Sequence, residues 1–281
     1  MGRMLRDQVV LITGCSSGIG RALVGEFAAS GHHVVATARD LDSIADLADT
    51  AVQTLALDVT NGGSIEAAVG EACALNGRID IVVNNAGYAL IGPVAELDLD
   101  ELRTQFETNV VGVVALTAAV VPQMVGRGSG RIVNIGSVSG ITATPFARAC
   151  CGTKAAVHLM SDALRMELAP FGVKVITVQP GAVESSFGVR ASEGIDRYRQ
   201  GSLYSKIFDS IADRAGASQV GSMPAVEFAR EVVEAVTAPS PSSIFRTGKY
   251  SFRLPVLSRL PSGVRDWIFS RRFRLDRLAV R

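Results

Sequence analysis

A glycine-rich turn between a buried strand and a helix is the feature that most constrains the fold. The segment VVLIT (residues 9–13) is continuously apolar, as is typical of a strand covered on both faces. It leads into TGCSSGIG (13–20), and the pattern that follows, GRALVGEFAASG (20–31), is that of a helix ending at Gly31. Glycines let the backbone turn tightly, and the first N–H groups of a helix attract anions. A purely structural turn is the other interpretation of this segment.

The alternation of strand and helix patterns continues along most of the chain. Further strands are predicted at residues 33–38, 52–59, 79–87, 130–137 and 173–181, and helices at 64–77, 99–125 and 152–172. Strands separated by helices form right-handed βαβ units in a parallel sheet. We therefore predict an α/β single-domain Rossmann fold, a doubly wound parallel sheet of order 3-2-1-4-5-6 with helices on both faces. The turn-forming APSPSS (238–243) precedes a possible seventh strand.

Composition restricts the class of protein and of partner. The chain has 281 residues, 48% of them apolar, and a net charge of +1, so we expect a large core and no nucleic-acid partner. Cys15, Cys73, Cys150 and Cys151 are few and two are adjacent, which favours a reduced, cytoplasmic compartment over a disulfide framework. The beginning of the sequence lacks a signal-peptide pattern. We also expect no uncharged apolar run close to the ~20 residues that span a bilayer.

The position of the glycine-rich turn predicts a dinucleotide site. A strand before it and a helix after it are the context that binding of a pyrophosphate requires. The candidate contacts are Gly14, Ser16, Ser17, Gly18, Ile19 and Gly20.

The end of the second predicted strand bears on the choice of cofactor. NAD sites usually place a carboxylate there for the ribose hydroxyls, whereas Arg39 is suited to a 2′-phosphate. We therefore expect NADP(H) in preference to NAD(H), with the neighbouring Asp40 as the argument for NAD(H). An exposed surface charge is the alternative for Arg39. Asp58 and Val59, at the end of the third strand, are placed to meet the adenine.

The motifs together resemble a known family. In order, these are TGCSSGIG, Asp58-Val59, NNAG (84–87), Asn109, Ser137, Lys154 and PG (180–181), and they resemble the short-chain dehydrogenase/reductase family over roughly residues 7–190. Within it, residues 128–146 and 170–175 look most like the 17β-hydroxysteroid and retinol dehydrogenase branch. The resemblance implies an NADP(H)-dependent oxidoreductase acting on hydroxyl or carbonyl groups of an apolar, steroid-, retinoid- or lipid-like molecule, and a homodimer or homotetramer.

The resemblance also implies roles for individual residues. Asn109 would hold a relay water through its backbone, and Ser137 would hydrogen-bond the substrate oxygen. Lys154 would bind the nicotinamide ribose and lower the pKa of the catalytic acid. The remaining cofactor contacts would be Asn84, Asn85, Ala86 and Gly87, around the floor of the cleft, and Pro180, Gly181, Val183 and Ser185, facing the nicotinamide.

The chain departs from the family at one catalytic position. The acid–base tyrosine belongs one helical turn before Lys154, and that position is Cys150. A thiol has a lower unperturbed pKa than a phenol, and Lys154 and the nicotinamide cation are expected to lower it further. The thiol is also shorter, and a general acid must come within ~3 Å of its acceptor or act through a water. We therefore expect weakened catalysis.

Several explanations of Cys150 remain open. The chain is a variant whose relatives carry tyrosine, or it relays protons through water and Lys154, or it binds NADP(H) without turnover, or Cys150 is a nucleophile. A small buried apolar side chain is a further interpretation. The three histidines show no metal-ligand spacing, so we predict no metal site.

Two segments near the end of the chain differ from the motif-bearing part. Residues 188–222 are polar and rich in Gly and Ser, and we expect a mobile loop-helix segment there that selects the substrate, within a domain spanning 1–248. Residues 249–281 carry nine basic and two acidic residues, net +7, against −6 for 1–248. We expect this extension to be basic and amphipathic, and either to touch a membrane peripherally or to pack over the substrate cleft or a second subunit.

Overall fold

A seven-stranded parallel sheet forms the centre of the molecule. The computed structural model describes residues 5–185 and 191–278, except for the side chain of Arg148. The strand order is 3-2-1-4-5-6-7, which confirms the predicted order and adds the seventh strand. The strands are β1 (Val9–Thr13), β2 (His33–Ala38), β3 (Val52–Ala56), β4 (Ile81–Asn84), β5 (Gly130–Ile135), β6 (Val173–Pro180) and β7 (Ile244–Thr247).

Helices cover both faces of the sheet. They are α1 (Gly18–Ala29), α2 (Gly62–Asn76), α3 (Leu99–Phe106), α4 (Gly112–Arg127), α5 (Arg148–Leu168), α6 (Phe208–Gly216), α7 (Ala225–Thr237), α8 (Arg253–Leu257) and α9 (Ser262–Arg272). Two boundaries differ from the predictions. The helix predicted from Gly152 begins at Arg148, so Cys150 lies within α5. The helix predicted at 99–125 is interrupted by a π turn at Glu107–Val111, which joins α3 to α4.

Each face of the sheet has its own apolar core. On one face, Phe27 of α1 and Phe228 of α7 pack against β1 and β2 and are fully buried. On the other, Leu116 and Met124 of α4 pack with α2 beneath β1, β4 and β5. Strand β1 lies between β2 and β4. The strand order therefore reverses at β1, with β2 and β3 on one side of it and β4 to β7 on the other. This is the switch point at which parallel sheets of this kind bind ligands.

One helical segment is a candidate for spanning a membrane, which the sequence analysis did not predict. Residues Leu99–Arg127 are long and apolar enough to cross a bilayer by length and composition. The expectation that no uncharged run approaches that length was therefore wrong. In the fold this segment contacts α2, β4 and β5, and 39% of its most apolar part is buried in the core.

The described part of the predicted substrate loop is packed. Residues 191–222 contain α6 and short 3₁₀ turns, and they form a third apolar cluster around Tyr198, Ile207 and Ile211. Residues 188–190 of the predicted loop lie outside the described residues. Leu275 packs on the edge of this cluster, so the end of the described chain lies against the predicted substrate segment.

Candidate active site

The glycine-rich turn has the conformation that close backbone approach demands. Gly14 has φ +73°, and a Cβ there would lie 2.9 Å from the Cα of Ala86. A Cβ on Gly20 would collide with the carbonyl oxygen of Gly14. Because the first N–H groups of α1 have no acceptor within the helix, they are available to an anion at this end of β1.

Thr13 and Asn85 fix the crevice between β1 and β4. The Thr13 hydroxyl accepts hydrogen bonds from the backbone nitrogens of Asn85 and Ala86, both at 3.0 Å. The Asn85 amide donates in return to the carbonyls of Thr13 and Gly14, at 2.8 and 3.1 Å. The ends of the two strands are thus held at a constant separation. Thr13 was not singled out from the sequence, although it directly precedes the predicted turn.

Asn84 lies elsewhere than expected. It was predicted at the floor of the cleft, but its side chain is buried beneath the sheet end and donates to Asn134 at 2.8 Å and to Thr117 at 3.2 Å. Asn134 continues the network to Ser161. The residue therefore links β4, β5, α4 and α5. Its neighbours Asn85, Ala86 and Gly87 remain at the cleft.

The ends of β2 and β3 present one cation and two carboxylates. Arg39 is exposed, and its positive charge helps to lower the pKa of Asp58, although the hydrogen bonds from Thr60 lower it more. The Asp40 carboxylate accepts the backbone N–H of Asp42 at 3.1 Å and so caps the following turn. Val59 is buried against Gly112. A Cβ on Gly112 would lie 2.8 Å from the carbonyl oxygen of Val59.

Asn109 lies in the π turn and is buried. Its side-chain amide donates to the Tyr88 carbonyl at 2.9 Å and its oxygen accepts the Tyr88 N–H at 3.1 Å. The amide also donates to the Thr153 hydroxyl at 3.3 Å, and that hydroxyl donates to the Cys150 carbonyl at 3.0 Å. Asn109 is therefore connected to the Cys150 position through Thr153, a residue that the sequence analysis did not assign. π turns are frequent at functional sites.

Cys150 and Lys154 lie on one face of α5, one turn apart. The Lys154 ammonium donates to the carbonyl of Ile135, the last residue of β5, at 2.7 Å. Burial lowers the pKa of Lys154, an effect that the Cys150 thiol opposes. Burial raises the pKa of Cys150 to about 11, and Lys154 offsets only part of this rise. Lys154 lowers the pKa of the thiol, as expected, but the loss of hydration outweighs this charge and the net shift is upward.

Ser137 follows β5 on the same side of the sheet as Lys154. Its hydroxyl accepts the N–H of Ser139 at 3.1 Å, and its own backbone nitrogen donates to Nε2 of His158 at 3.3 Å. Burial and the charge of Lys154 lower the pKa of His158 to about 4, so the imidazole is neutral and can accept this hydrogen bond. His158 is thus a supporting residue of the loop that carries Ser137.

The segment after β6 is tightly enclosed. A Cβ at Gly181 would collide with the carbonyl of Lys249, and the Gly181 nitrogen donates to the Thr247 carbonyl at 2.8 Å. Val183 is buried. The Ser185 nitrogen donates to the side chain of Gln219 at 3.3 Å. Pro180 ends β6, so all four predicted contacts from this segment lie at the same sheet edge.

The surroundings of Cys150 are apolar and contain one phenol that has no hydrogen-bond partner among the described residues. Cys150 shares the third cluster with Ile91, Phe146 and Tyr198. The hydroxyl of Tyr198 lies against Gly92 and has no hydrogen-bond partner among the described residues. A cavity of about 670 Å³ is lined by residues 141–145 of the loop after Ser137 and by Arg265, Asp266, Phe269, Ser270 and Leu275, but not by Ser137, Cys150 or Lys154.

Within residues 5–185 and 191–278, no group of three His, Cys, Asp or Glu side chains could hold a metal ion. The four cysteines are all free thiols. Ser137, Cys150 and Lys154 bring a hydroxyl, a thiol and an ammonium to the end of β5, at the same end of the sheet as the crevice between β1 and β4. This arrangement on a doubly wound sheet defines a nicotinamide-dependent oxidoreductase.

The comparisons with known proteins agree with that class. Residues 8–195 match the family model described as short chain dehydrogenase, and the chain belongs to this family. It is 38% identical over 191 residues to human 17-beta-hydroxysteroid dehydrogenase type 1, a match that covers 64% of this chain and 58% of that enzyme. A short-chain dehydrogenase from Streptomyces avermitilis superposes with a TM-score of 0.78 at 30% identity and covers 97% of both chains.

Similar solved structures contain both nicotinamide cofactors. Serine dehydrogenase in complex with NADP+ has a TM-score of 0.73 at 29% identity, covering 86% of this chain and 94% of that one. The 3-ketoacyl-(acyl-carrier-protein) reductase from Brucella melitensis, in complex with NADH, has a TM-score of 0.71 at 25% identity, covering 85% and 96%. The fold therefore accommodates either cofactor in related proteins.

Proposed function

We propose that this protein is an NADP(H)-dependent oxidoreductase that interconverts hydroxyl and carbonyl groups on an apolar substrate, with Cys150 attenuating its activity. The observation that carries the proposal is the position of Cys150, one turn before Lys154 on α5 and in an apolar cluster. Asn85, Ala86, Gly87 and the turn at Gly14–Gly20 would hold the dinucleotide, because the crevice between β1 and β4 is built for a close backbone approach. When bound, the nicotinamide supplies or accepts a hydride.

The side chains of this chain then manage the proton. The Ser137 hydroxyl would donate a hydrogen bond to the substrate oxygen and hold it in place. The Cys150 thiol is protonated at neutral pH because burial raises its pKa to about 11, so it can act as an acid. Lys154 would stabilise the thiolate that remains after proton transfer. The thiol is several ångströms shorter than a phenol, and a water between Sγ and the substrate oxygen would close the gap.

The preference for NADP(H) rests on the end of β2. Arg39 is exposed and suited to a 2′-phosphate, while the Asp40 carboxylate is occupied in capping the next turn. Arg39→Ala should weaken NADPH binding at least tenfold more than NADH binding, since a charge-assisted contact is worth about 1.5–3 kcal/mol. Asp40→Asn is the matched control and should leave the ratio of the two affinities unchanged. An unaltered ratio in Arg39→Ala would remove the argument for NADP(H).

The decisive experiment is Cys150→Tyr. NADPH affinity and steady-state reduction of a panel of apolar ketones should be measured for the parent chain, Cys150→Tyr and Cys151→Ser. Restoring a phenol should raise kcat by about 10²-fold or more with little change in NADPH affinity, because direct general acid catalysis is worth ~10²–10⁴-fold. Cys151→Ser controls for the adjacent thiol and should behave like the parent. Bound NADPH without any gain in Cys150→Tyr would favour a protein that binds NADP(H) without turnover.

Self-association belongs to the same proposal. Five exposed apolar side chains lie at the beginning of α4 (Val111, Val114), along α5 (Leu159, Met166) and just beyond α5 (Phe171). We expect a homodimer or homotetramer that covers them, in a reduced compartment such as the cytoplasm. Sedimentation velocity of the parent and Leu159→Ser tests this, because the variant should dissociate at a higher concentration. A monomer at all concentrations would contradict it.

A further inference from the structure

The surface of the molecule near its end combines exposed apolar side chains with positive charge. Tyr250, Phe252, Val256, Val264 and Trp267 have 43, 65, 58, 46 and 58% of their surface exposed. On α9, Val264 and Trp267 lie on one face together with Arg271, because they follow at intervals of three and four residues. The other face of α9 is held to the fold through Phe269, which contacts Phe273. The outward face therefore has no covering element among the described residues.

Arginines stack on two of these rings. The Arg253 guanidinium lies 3.8 Å from the centre of the Tyr250 ring, and that of Arg271 lies 4.9 Å from the Trp267 ring. Aromatic rings capped by arginine suit the interface of a membrane, where the ring enters the headgroup layer and the guanidinium meets phosphate.

The charge distribution determines which surface this region can approach. The last 33 residues have a net charge of +7, and the preceding 248 a net charge of −6. An anionic surface would attract residues 249–281 and repel residues 1–248, so the protein would approach it with residues 249–281 facing the surface. Basic residues immediately beside exposed aromatic ones are the combination that binds anionic lipid.

This region also borders the cavity beside the loop after Ser137. The Thr142 hydroxyl donates to the Leu254 carbonyl at 3.0 Å, which ties α8 to the loop after Ser137. Arg265 and Phe269 of α9 line the cavity, while Val264 and Trp267 on the same helix are exposed. One short helix thus has a cavity on one side and solvent on the other.

We propose that residues 250–272 dock the protein on an anionic phospholipid membrane, with the mouth of the cavity beside the bilayer. Apolar molecules dissolved in the lipid would then reach the cavity without crossing water. This delivery rests on the proposed function, whereas the docking itself does not.

Trp267 makes the docking directly measurable because it is the only tryptophan in the chain. Intact protein should be titrated with vesicles of phosphatidylcholine alone and of phosphatidylcholine with phosphatidylglycerol, following Trp267 emission and co-sedimentation. We expect a blue shift and co-sedimentation only with the anionic vesicles, and a marked loss of both at high salt. No binding to the anionic vesicles, or equal binding to both kinds, would overturn the proposal.

Charge-reversal variants locate the surface. Arg271→Glu/Arg272→Glu should reduce partitioning at least tenfold, because each basic residue near an anionic surface contributes about fivefold and the new charges are repelled. Arg103→Glu/Arg230→Glu makes the same change in net charge at exposed sites on α3 and α7 and should retain binding. Equal losses in both variants would overturn the assignment to this surface. NADPH affinity and far-ultraviolet circular dichroism verify that each variant is folded.

A second copy of the chain is the competing occupant of this surface. If it covers Trp267, the emission will shift with protein concentration in the absence of vesicles, and sedimentation velocity will show a matching association that Arg271→Glu/Arg272→Glu abolishes. That result would overturn membrane docking. Because every readout is binding or fluorescence, an inactive enzyme would leave the test unaffected.

Discussion

Nε2 of His158 accepts a hydrogen bond from the backbone nitrogen of Ser137 across 3.3 Å. His158 lies one turn beyond Lys154 on α5, so the same helix face supports the Ser137 loop and carries the ammonium. A Cβ on Gly136 would collide with the imidazole, and one on Gly140 would lie 2.8 Å from it. The loop is therefore packed closely around this ring. The neutral form of His158 is part of that packing.

Acid should therefore destabilise the protein through His158. Its pKa is lowered to about 4 in the fold from 6.5, so between these values the unfolded chain binds a proton that the folded chain does not. The free energy of unfolding should fall as the pH drops from 6.5 to 4, by roughly 3 kcal/mol from this group, and level off below. Urea unfolding at pH 7.5 and 4.5 measures it. In His158→Gln the loss should be smaller, and an identical loss in parent and variant would contradict the assignment.

Gly20 and Gly25 provide a matched pair on one helix. Gly20→Ala should lower the free energy of unfolding by about 1–3 kcal/mol and weaken NADPH binding, because the new Cβ collides with the Gly14 carbonyl and forces the turn open. In Gly25→Ala the new Cβ has no atom within 4 Å, so this substitution should stabilise α1 by up to about 1 kcal/mol. Chemical denaturation and NADPH titration of both variants check this. Equal effects of the two substitutions would show that the turn is not constrained as described.

Cys150 should react slowly with alkylating reagents. Its pKa of about 11, raised from 9.0 by burial, leaves about one hundredth of the ordinary thiolate fraction at neutral pH, and the residue is buried. Iodoacetamide labelling at pH 7.5 followed by peptide mapping should modify the half-buried Cys73 first. Labelling of Cys150 should increase as the pH rises toward 11. Rapid labelling of Cys150 at pH 7.5 would instead support its role as a nucleophile.

Tyr198→Phe should stabilise the free protein. The Tyr198 hydroxyl is buried against Gly92 without a hydrogen-bond partner, and such a group costs about 1–3 kcal/mol. Removing it should raise the free energy of unfolding by about 1 kcal/mol with the apolar contacts retained. Urea denaturation measures the change, with Tyr204→Phe as a control in the same segment. A destabilised Tyr198→Phe would mean that the hydroxyl has a partner in solution.

The sheet and the dinucleotide crevice could be predicted because their signals are local. Continuous β-branched segments and the glycine turn specify strands and their order through short-range geometry. The third apolar cluster could not, because Tyr198 and Ile207 lie in 3₁₀ turns that have no apolar period. The upward net shift of the Cys150 pKa could not be predicted, because the loss of hydration depends on which distant segments cover the thiol. The contacts of His158 and Thr153 could not be predicted either, because their partners Ser137 and Asn109 belong to other elements.

The π turn at Glu107–Val111 makes the number of residues between α3 and α4 critical, because that number sets the rotation of α4 about its axis. Each residue added to or removed from a helix rotates everything beyond it by about 100°. Losing one residue here would turn Leu116 and Met124 of α4 out of the core while leaving α3 in place. Because Asn109 lies in the same turn, its reach to Tyr88 and Thr153 depends on the same residue count. Surface loops tolerate insertions and deletions, but this helix should not. A change of one residue here would alter both the packing of α4 in the core and the position of Asn109 in the site.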